Sequence, residues 1–212
     1  MNLAILGSTG FVGTLLIRKA LKAGHQVKAL ARSPEKLGDL KDKVEVVQGD
    51  MFNPSALQTL VQDVDAVISV AGPPRTVRHD SEKHAVSTKL LVEAMKSAKV
   101  DRLITITGAA AKVPGQKLGF KQSLLRLLLA NVVAPDVIKT KDIELKTVAA
   151  SGLNWTVLRP PIIGSGKPTG KVAASESDMT GTKIDVEDIT DFILSVLQTN
   201  EWDHKAPIVA SK

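Results

Sequence analysis

The first half of the chain alternates short apolar runs, rich in β-branched residues, with longer segments whose apolar positions follow a helical spacing. Five runs have the length of strands: Leu3–Leu6, Gln26–Ala31, Val44–Gln48, Ala66–Val70 and Leu103–Thr107. Runs that are apolar enough to be covered on both faces are typical of parallel sheets. The pattern therefore predicts βαβ units, with a parallel sheet between two layers of helices.

Helix signals occupy the intervals between these strands. The first helix has apolar residues at Val12, Leu16, Ala20 and Ala23, and it is predicted to end at Gly24, a residue type favoured just past a helix C-terminus. The next three helices are marked by a capping residue before a proline (Ser33-Pro34 and Asn53-Pro54) and by an apolar stripe (Val86, Leu90, Leu91, Ala94, Met95 and Ala98).

The pattern changes after Thr107, where residues 108–119 are small or turn-forming and the apolar stretch Leu124–Leu129 follows. We expect an insertion at 112–135 that forms a lid over a substrate pocket or a subunit contact, with a membrane-surface helix as the weaker alternative. The remaining elements are predicted as a helix near Asp136–Ser151, a strand at Trp155–Leu158, a loop at Pro160–Gly170, a helix from Asp185 and a strand at Ile208–Ala210.

Neither an internal repeat nor a flexible linker divides the sequence. We therefore predict one α/β domain over residues 1–212, built as a doubly wound parallel sheet with helices on both faces. Residues 160–184 are expected to form a substrate-side loop in a small C-terminal lobe.

The composition removes several kinds of chemistry. The chain of 212 residues has no cysteine, which excludes disulfides, thiolate metal sites and cysteine nucleophiles. It also has no tyrosine, so the tyrosine proton donor of many oxidoreductases is excluded. The net charge of +6 suits an anionic ligand, but only 3% of the residues are aromatic, which argues against the stacking of nucleic-acid bases.

The sequence shows no secretory leader and no apolar segment long enough to span a bilayer. We therefore expect a cytoplasmic protein, a monomer or a homodimer, that acts on a small molecule and binds neither nucleic acid nor membrane.

A glycine-rich turn follows the first strand and opens the first helix: Gly7-Ser8-Thr9-Gly10-Phe11-Val12-Gly13. In this position glycines allow a pyrophosphate to approach the backbone N–H groups at a helix N-terminus. The spacing is G-x-x-G-x-x-G, one residue longer in the first interval than the common dinucleotide fingerprint. The alternative is an ordinary glycine-rich βα turn.

Two polar positions after the second and third strands complete the dinucleotide pattern. Such sites carry an acid for a free ribose 2′-OH or an arginine for a 2′-phosphate about twenty residues after the glycines, and Arg32 occupies that place here. The sequence therefore favours NADP over NAD, although Arg32 could be a solvated strand-end charge. Asp50 follows the third strand, where its carboxylate could accept from the adenine amino group or only cap a turn.

The chain resembles the atypical short-chain dehydrogenases/reductases, specifically the NmrA-like and biliverdin-IXβ/flavin reductase-like NAD(P)H-binding proteins. The motifs that carry the resemblance are Gly7/Gly10/Gly13, Arg32, Gly49-Asp50, Val70-Ala71-Gly72 and the segment from Ser151 to Pro160. The resemblance implies a Rossmann-type sheet in which Ala71 and Gly72 lie against the ribose and phosphates, Thr107 and Gly108 near the nicotinamide ribose, and Pro160, Pro161, Ile162 and Ile163 along the nicotinamide. Met51 and Val70 are further expected cofactor-binding residues.

The departures from that family concern its catalytic residues. The wider superfamily uses a Tyr-x-x-x-Lys pair with a nearby serine. The lysine position matches Lys141, whereas the tyrosine position holds Val137 and the serine falls in Thr107-Gly108-Ala109. Lys141 and Thr107 are therefore the candidate catalytic residues. Lys141 could bind the nicotinamide ribose or be a solvated helix lysine beside Lys139.

Other titratable residues favour structural interpretations. His79 and His84 are five residues apart, which does not place them on one helix face, so no metal site is predicted. Asp185, Glu187 and Asp188 lie where acids favour a helix N-terminus.

These observations predict an NADPH-dependent reductase that transfers hydride to a flavin, quinone or tetrapyrrole-like acceptor, with the proton coming from solvent. The alternatives are a non-enzymatic NADP(H)-binding sensor of the NmrA type and an assembly or RNA-associated factor on the same fold, which the low aromatic content disfavours.

Overall fold

Six parallel strands form the central sheet of the computed structural model, which describes residues 1–72, 81–115, 119, 123–124, 126–127 and 135–212, with only the backbone at 83 and 84. The strands are β1 (Asn2–Leu6), β2 (Gln26–Ala31), β3 (Glu45–Gln48), β4 (Ala66–Ser69), β5 (Arg102–Ile106) and β6 (Asn154–Leu158). Their spatial order is β3-β2-β1-β4-β5-β6. This is the doubly wound order of a Rossmann-type α/β fold, as predicted.

Helices cover both faces of the sheet. They are α1 (Phe11–Lys22), α2 (Pro54–Leu60), α3 (Ser81–Ala98), α4 (Pro135–Ala149) and α5 (Val186–Val196), with a 3₁₀ segment at Pro34–Lys43. Helices α1 and α5 contact each other on one side, while α2, α3 and α4 lie together on the other.

The alternation of side chains along each strand divides the core into two halves. In β1, Leu3 and Ile5 are buried with α1 and α5, whereas Ala4 and Leu6 are buried with α2, α3 and α4. Successive residues of a strand point to opposite faces, so a wholly apolar strand serves both halves. The fully buried strand β4 confirms that interpretation.

The segment after β6 contains more regular structure than the predicted loop. It holds β7 (Ile163–Gly164), β8 (Val172–Ser175) and β9 (Ile184–Asp185), and the chain ends in β10 (Ile208–Ser211). Strand β8 pairs antiparallel with β10, and β7 pairs parallel with β9. The prediction of an irregular loop across Pro160–Gly170 and 160–184 is corrected at these strands, because pairing partners distant in sequence decide whether such short segments are extended.

Two helix predictions also need correction. Asn53 caps α2 by accepting from the Ala56 N–H at 3.2 Å, as predicted, but Ser33 makes no side-chain capping bond and a 3₁₀ segment follows it. Gly38, at φ 57°, interrupts that segment. Val86 lies on an exposed part of α3 and outside the buried stripe that includes Leu91 and Met95.

Most of the predicted insertion at 112–135 lies outside the described residues. The described part is fastened to α4, because the Arg126 guanidinium donates to both carboxylate oxygens of Asp142 at 2.9 and 2.5 Å and to the Ala110 carbonyl at 2.8 Å. Leu124 and Leu127 are exposed. Over the described ranges, none of the helices combines the length and apolarity needed to cross a membrane.

Candidate functional site

A cleft of about 440 Å³ opens at the carboxyl ends of the strands, where the strand order reverses between β1 and β4. In doubly wound sheets this reversal leaves a crevice, since the connections from the two strands run to opposite faces. The cleft is lined by Leu6, Gly7, Thr9, Gly10, Leu30, Ala31, Arg32, Gly49, Asp50, Met51, Phe52, Val70, Ala71 and Gly72. The fold thus brings together residues from four separate strand ends that the sequence analysis assigned to one site.

Each of the three glycines of the turn is required for a different structural reason. Gly7 has φ 79°, and a Cβ there would lie 2.7 Å from the Ala71 nitrogen. A Cβ on Gly13 would lie 2.1 Å from the Gly7 carbonyl oxygen, so Gly13 allows α1 to pack against the turn. Gly10 lines the cleft, as Gly7 does and Gly13 does not. A Cβ added to Gly10 would lie 3.2 Å from the Gly7 carbonyl oxygen.

The N-terminus of α1 is available to an anion. Its N-cap residue is Gly10, which provides no side-chain hydrogen bond, and the first turn contains no acid. The first N–H groups of a helix lack partners within the helix and carry partial positive charge, so they bind phosphate well. The glycine turn and this helix end therefore fit the pyrophosphate of a dinucleotide.

Other residues of the predicted turn serve the fold. The hydroxyl of Ser8 is buried and donates to the Leu30 carbonyl at 2.6 Å, which ties the turn to β2. Neither Phe11, an exposed residue, nor Val12, which packs on the core, lines the cleft. If these residues contact a nucleotide, their backbone and not their side chains would do so.

Arg32 and Asp50 stand at the ends of β2 and β3. Arg32 is exposed, lines the cleft, and forms no hydrogen bond or ion pair with the other described residues. Its guanidinium is therefore available to a phosphate. Asp50 accepts from the Phe52 N–H at 2.8 Å, so it caps a turn while also lining the cleft.

A second, smaller cavity of about 20 Å³ adjoins the cleft and shares Met51 and Ala71 with it. Thr107 lines this cavity, and its buried hydroxyl has no hydrogen-bond partner among the described residues. Buried polar groups are nearly always bonded, so an orphan hydroxyl indicates a water or ligand partner. The volume suffices for one water.

Lys141 and Glu144 form an ion pair beside the cleft. They are one helical turn apart on α4, with Nζ 2.9 Å from the carboxylate, and their side chains are only 11% and 13% exposed. A Cβ on Gly72 would lie 3.5 Å from the Lys141 Nζ. Lys141 is therefore not the solvated lysine of the alternative interpretation. Lys139 is the solvated lysine of this helix, and it pairs with Glu82 on the surface.

The predicted nicotinamide side contributes the segment after β6. The Pro160 carbonyl accepts from the Ala109 N–H at 3.1 Å, next to Gly108, and this bond joins the segment to the end of β5. Ile162 is 60% exposed. Pro161, Ile162 and Ile163 do not line the cleft, so their predicted contact with a nicotinamide stays a prediction.

Arg159 organises this side from within the core. Its guanidinium is fully buried and donates to the carbonyls of Ala206 at 2.6 Å, Glu176 at 2.8 Å and Ala111 at 3.3 Å. Burial lowers the pKa of Arg159 to about 10, against the opposing attraction of Glu176. The side chain joins three segments that converge beyond the sheet, and its role is structural.

Several side chains that line the site were absent from the sequence prediction, among them an aromatic ring and a carboxylate. Phe52 lines the cleft after β3, and Glu144 lines the inner cavity. Glu144 stands three residues after Lys141, so the helical spacing could have suggested the pair, but its burial could not be foreseen.

The remaining titratable candidates do not form a site in the described residues. His79 and the side chain of His84 lie outside them, and elsewhere no group of three or more potential ligands could hold a metal. Asp185 caps α5 through the Glu187 N–H at 2.8 Å, which confirms the structural interpretation. Asp188 accepts from Ser211 at 2.6 Å and from the Gly170 N–H at 2.9 Å.

Comparisons with known proteins agree with this geometry. A model of the NAD(P)H-binding family matches residues 7–200. Among curated proteins, TIC 62 of Arabidopsis thaliana is 27% identical over 187 residues, which cover 78% of this chain and 27% of that protein. The chain spans about a quarter to a half of the length of the curated relatives it matches.

Solved structures share the fold at low sequence identity. ChuY, an anaerobillin reductase of Escherichia coli, superposes with a TM-score of 0.82 at 16% identity over 100% of this chain and 97% of its own. A short-chain dehydrogenase/reductase of Veillonella parvula in complex with NADP gives 0.79 at 15% identity over 99% and 94%. At such identities the likeness shows the fold alone.

Proposed function

Since this chain belongs to the NAD(P)H-binding family, we propose that it is an NADPH-dependent reductase that transfers hydride to a flavin, quinone or tetrapyrrole-like acceptor. The observation that carries the proposal is the cleft at the reversal of strand order, where the N-terminus of α1 has no side-chain cap and Arg32 has no partner among the described residues. Both features favour a dinucleotide that has a pyrophosphate and a further phosphate.

Each residue of the site has a definite task in this proposal. Gly10 and the first N–H groups of α1 hold the pyrophosphate, and Arg32 pairs with the 2′-phosphate. Lys141 binds the nicotinamide ribose, and the Thr107 hydroxyl supplies a further hydrogen bond at the same end. The bound cofactor supplies the hydride, so the chain needs only to orient and shield the nicotinamide.

The absence of tyrosine restricts the acceptor. With Val137 at the tyrosine position, no phenol is present to protonate a carbonyl oxygen in the transition state. An electron-poor ring can take hydride first and a proton from water afterwards. The anaerobillin reductase that shares this fold supports the inclusion of tetrapyrroles among the acceptors to be tested.

Calorimetric titration tests the cofactor part of the proposal. NADPH should bind about ten- to a hundredfold more tightly than NADH, because a charge-assisted contact to the 2′-phosphate contributes on the order of 1.5–3 kcal/mol. Arg32→Ala should abolish the difference. Lys36→Ala, which removes an exposed charge of the same sign outside the cleft, should preserve it. Equal binding of both nucleotides by the unmodified protein would refute the assignment of Arg32.

NADPH oxidation with a panel of flavins, quinones and linear tetrapyrroles tests turnover. We expect oxidation above the protein-free rate with at least one class, and negligible dehydrogenation of alcohols. The missing tyrosine also favours a second candidate, a non-enzymatic NADP(H) sensor of the NmrA type. Tight NADPH binding without turnover across the panel would select the sensor.

A further inference from the structure

The Lys141–Glu144 pair places opposite charges at one end of the cleft. Lys141 approaches Gly72 at the end of β4, and Glu144 lines the inner cavity together with Thr107, at the end of β5. Both side chains are nearly buried, so water screens them less than it screens a surface pair. If NADP(H) occupies the cleft as proposed above, its nicotinamide ribose lies at this end.

The charged residues that flank Lys141 most closely on α4, Lys139 and Asp142, are each paired with an opposite charge. Asp142 is neutralised by Arg126, whose guanidinium contacts both of its oxygens. Lys139 pairs with Glu82 at the surface, where the two side chains are 59% and 76% exposed and solvent weakens their field. Of the charged side chains of α4, Lys141 and Glu144 are the two that the structure places nearly buried beside the cleft.

That balance matters because the two forms of the cofactor differ in charge at the ring. The oxidised nicotinamide carries a positive charge and the reduced ring is neutral. Lys141 alone would repel the oxidised ring, whereas the Glu144 carboxylate attracts it. Lys141 can thus bind the ribose without excluding the oxidised form, because the Glu144 carboxylate lies 2.9 Å from its Nζ.

We propose that Glu144 is a specificity-determining residue that offsets the charge of Lys141 and so sets the ratio of NADP⁺ to NADPH affinity. This inference rests on the proposed function, because it requires the nucleotide in the cleft. It applies equally to a reductase, which must release NADP⁺, and to a sensor, which must distinguish the two forms.

The test is fluorescence or calorimetric titration of NADP⁺ and NADPH, with no acceptor present. In Glu144→Gln the ratio of the NADP⁺ Kd to the NADPH Kd should rise by roughly fivefold or more, within the range typical of coupling between sites. In Lys141→Met the ratio should fall. Glu82→Gln, which removes a carboxylate from the exposed pair facing the same helix, should leave it unchanged.

The double variant Lys141→Met/Glu144→Gln keeps the inference testable if Glu144→Gln fails to fold, as a buried lysine without its partner could cause. Its ratio should exceed that of Lys141→Met alone, because the same negative charge has been removed. A ratio that is insensitive to Glu144 in both backgrounds, with both nucleotides still bound, would overturn this inference and leave the proposed function intact. Failure of the unmodified protein to bind either nucleotide would overturn both.

Discussion

Substitutions of Gly10 and Gly13 in the turn should affect nucleotide binding and stability separately. In Gly13→Ala the new Cβ would lie 2.1 Å from the Gly7 oxygen and 2.8 Å from its carbonyl carbon, both backbone atoms that cannot rotate away. In Gly10→Val the Cβ would lie 3.2 Å from the same oxygen, at a residue with an extended φ of −85° that valine can adopt. The first change strains the fold, and the second fills the cleft.

The size of each effect follows from these contacts. Overpacking costs about 1–3 kcal/mol, and the 2.1 Å contact with backbone atoms places Gly13→Ala at the upper end of that range, while the better helix propensity of alanine returns about 1 kcal/mol. A net loss of roughly 2 kcal/mol in Gly13→Ala corresponds to a fall in Tm of about 4–8 °C for a chain of this size. Gly10→Val should lose about 1 kcal/mol or less, since no side-chain cap is removed.

Thermal melting with and without NADPH measures both quantities. At about a hundred times its Kd, NADPH adds roughly 2.7 kcal/mol of stability, or a rise in Tm of about 5–11 °C. Gly13→Ala should melt early but still respond to NADPH, whereas Gly10→Val should melt near the unmodified protein and not respond. A folded Gly10→Val that gains the full NADPH shift would refute the placement of the pyrophosphate at this turn.

Three further predictions concern contacts outside the turn. Arg126→Gln should lower the free energy of unfolding by about 1–2 kcal/mol in urea titrations, because Asp142 and the Ala110 carbonyl lose a charged donor; a loss no larger than that of Arg18→Gln on the surface would refute the contact. Burial lowers the pKa of His25, with a smaller contribution from the N-terminal charge, and neither ring nitrogen has a described partner. The unmodified protein should therefore lose stability relative to His25→Phe as the pH falls below about 6.5, and parallel pH profiles would contradict this. Burial alone would raise the pKa of Asp188, but hydrogen bonds from Ser211, Thr169 and Gly170 lower it, so Asp188→Asn should cost about 1–3 kcal/mol at neutral pH and the difference should shrink below about pH 4.

The strands and the nucleotide turn are features that the sequence predicts well because their signals are local. Gln26–Ala31 forms β2 with the predicted bounds, and the other sheet strands differ by a residue or so at their ends. An apolar run between turn-forming residues has few alternatives to a buried strand. The glycine turn is recognisable because its three glycines stand at a fixed spacing within seven residues, and a Cβ on Gly10 or Gly13 would approach the Gly7 carbonyl oxygen.

Three of the short strands after β6, namely β7, β8 and β9, could not be predicted in this way. Strand β8 exists because β10, more than thirty residues later, supplies its hydrogen bonds. The β8 segment lacks the length and the apolar character that would make it a strand alone, whereas β10 is predicted from the apolar run Ile208–Ala210. Ser33 shows the converse, because its capping signal is present but a 3₁₀ segment forms in place of an α-helix.

The chemistry near Lys141 shows the same division. The sequence by itself determined the sheet, the glycine turn, the position of Arg32 and the absence of a tyrosine, because each of these depends on residue identity and local spacing. Only the tertiary structure decided that Lys141 is buried and paired with Glu144 beside Gly72, whereas Lys139, two residues earlier, is on the surface. One face of helix α4 packs against α3 and the sheet, and the opposite face is in contact with solvent. This packing determines which charged residues of α4 are buried.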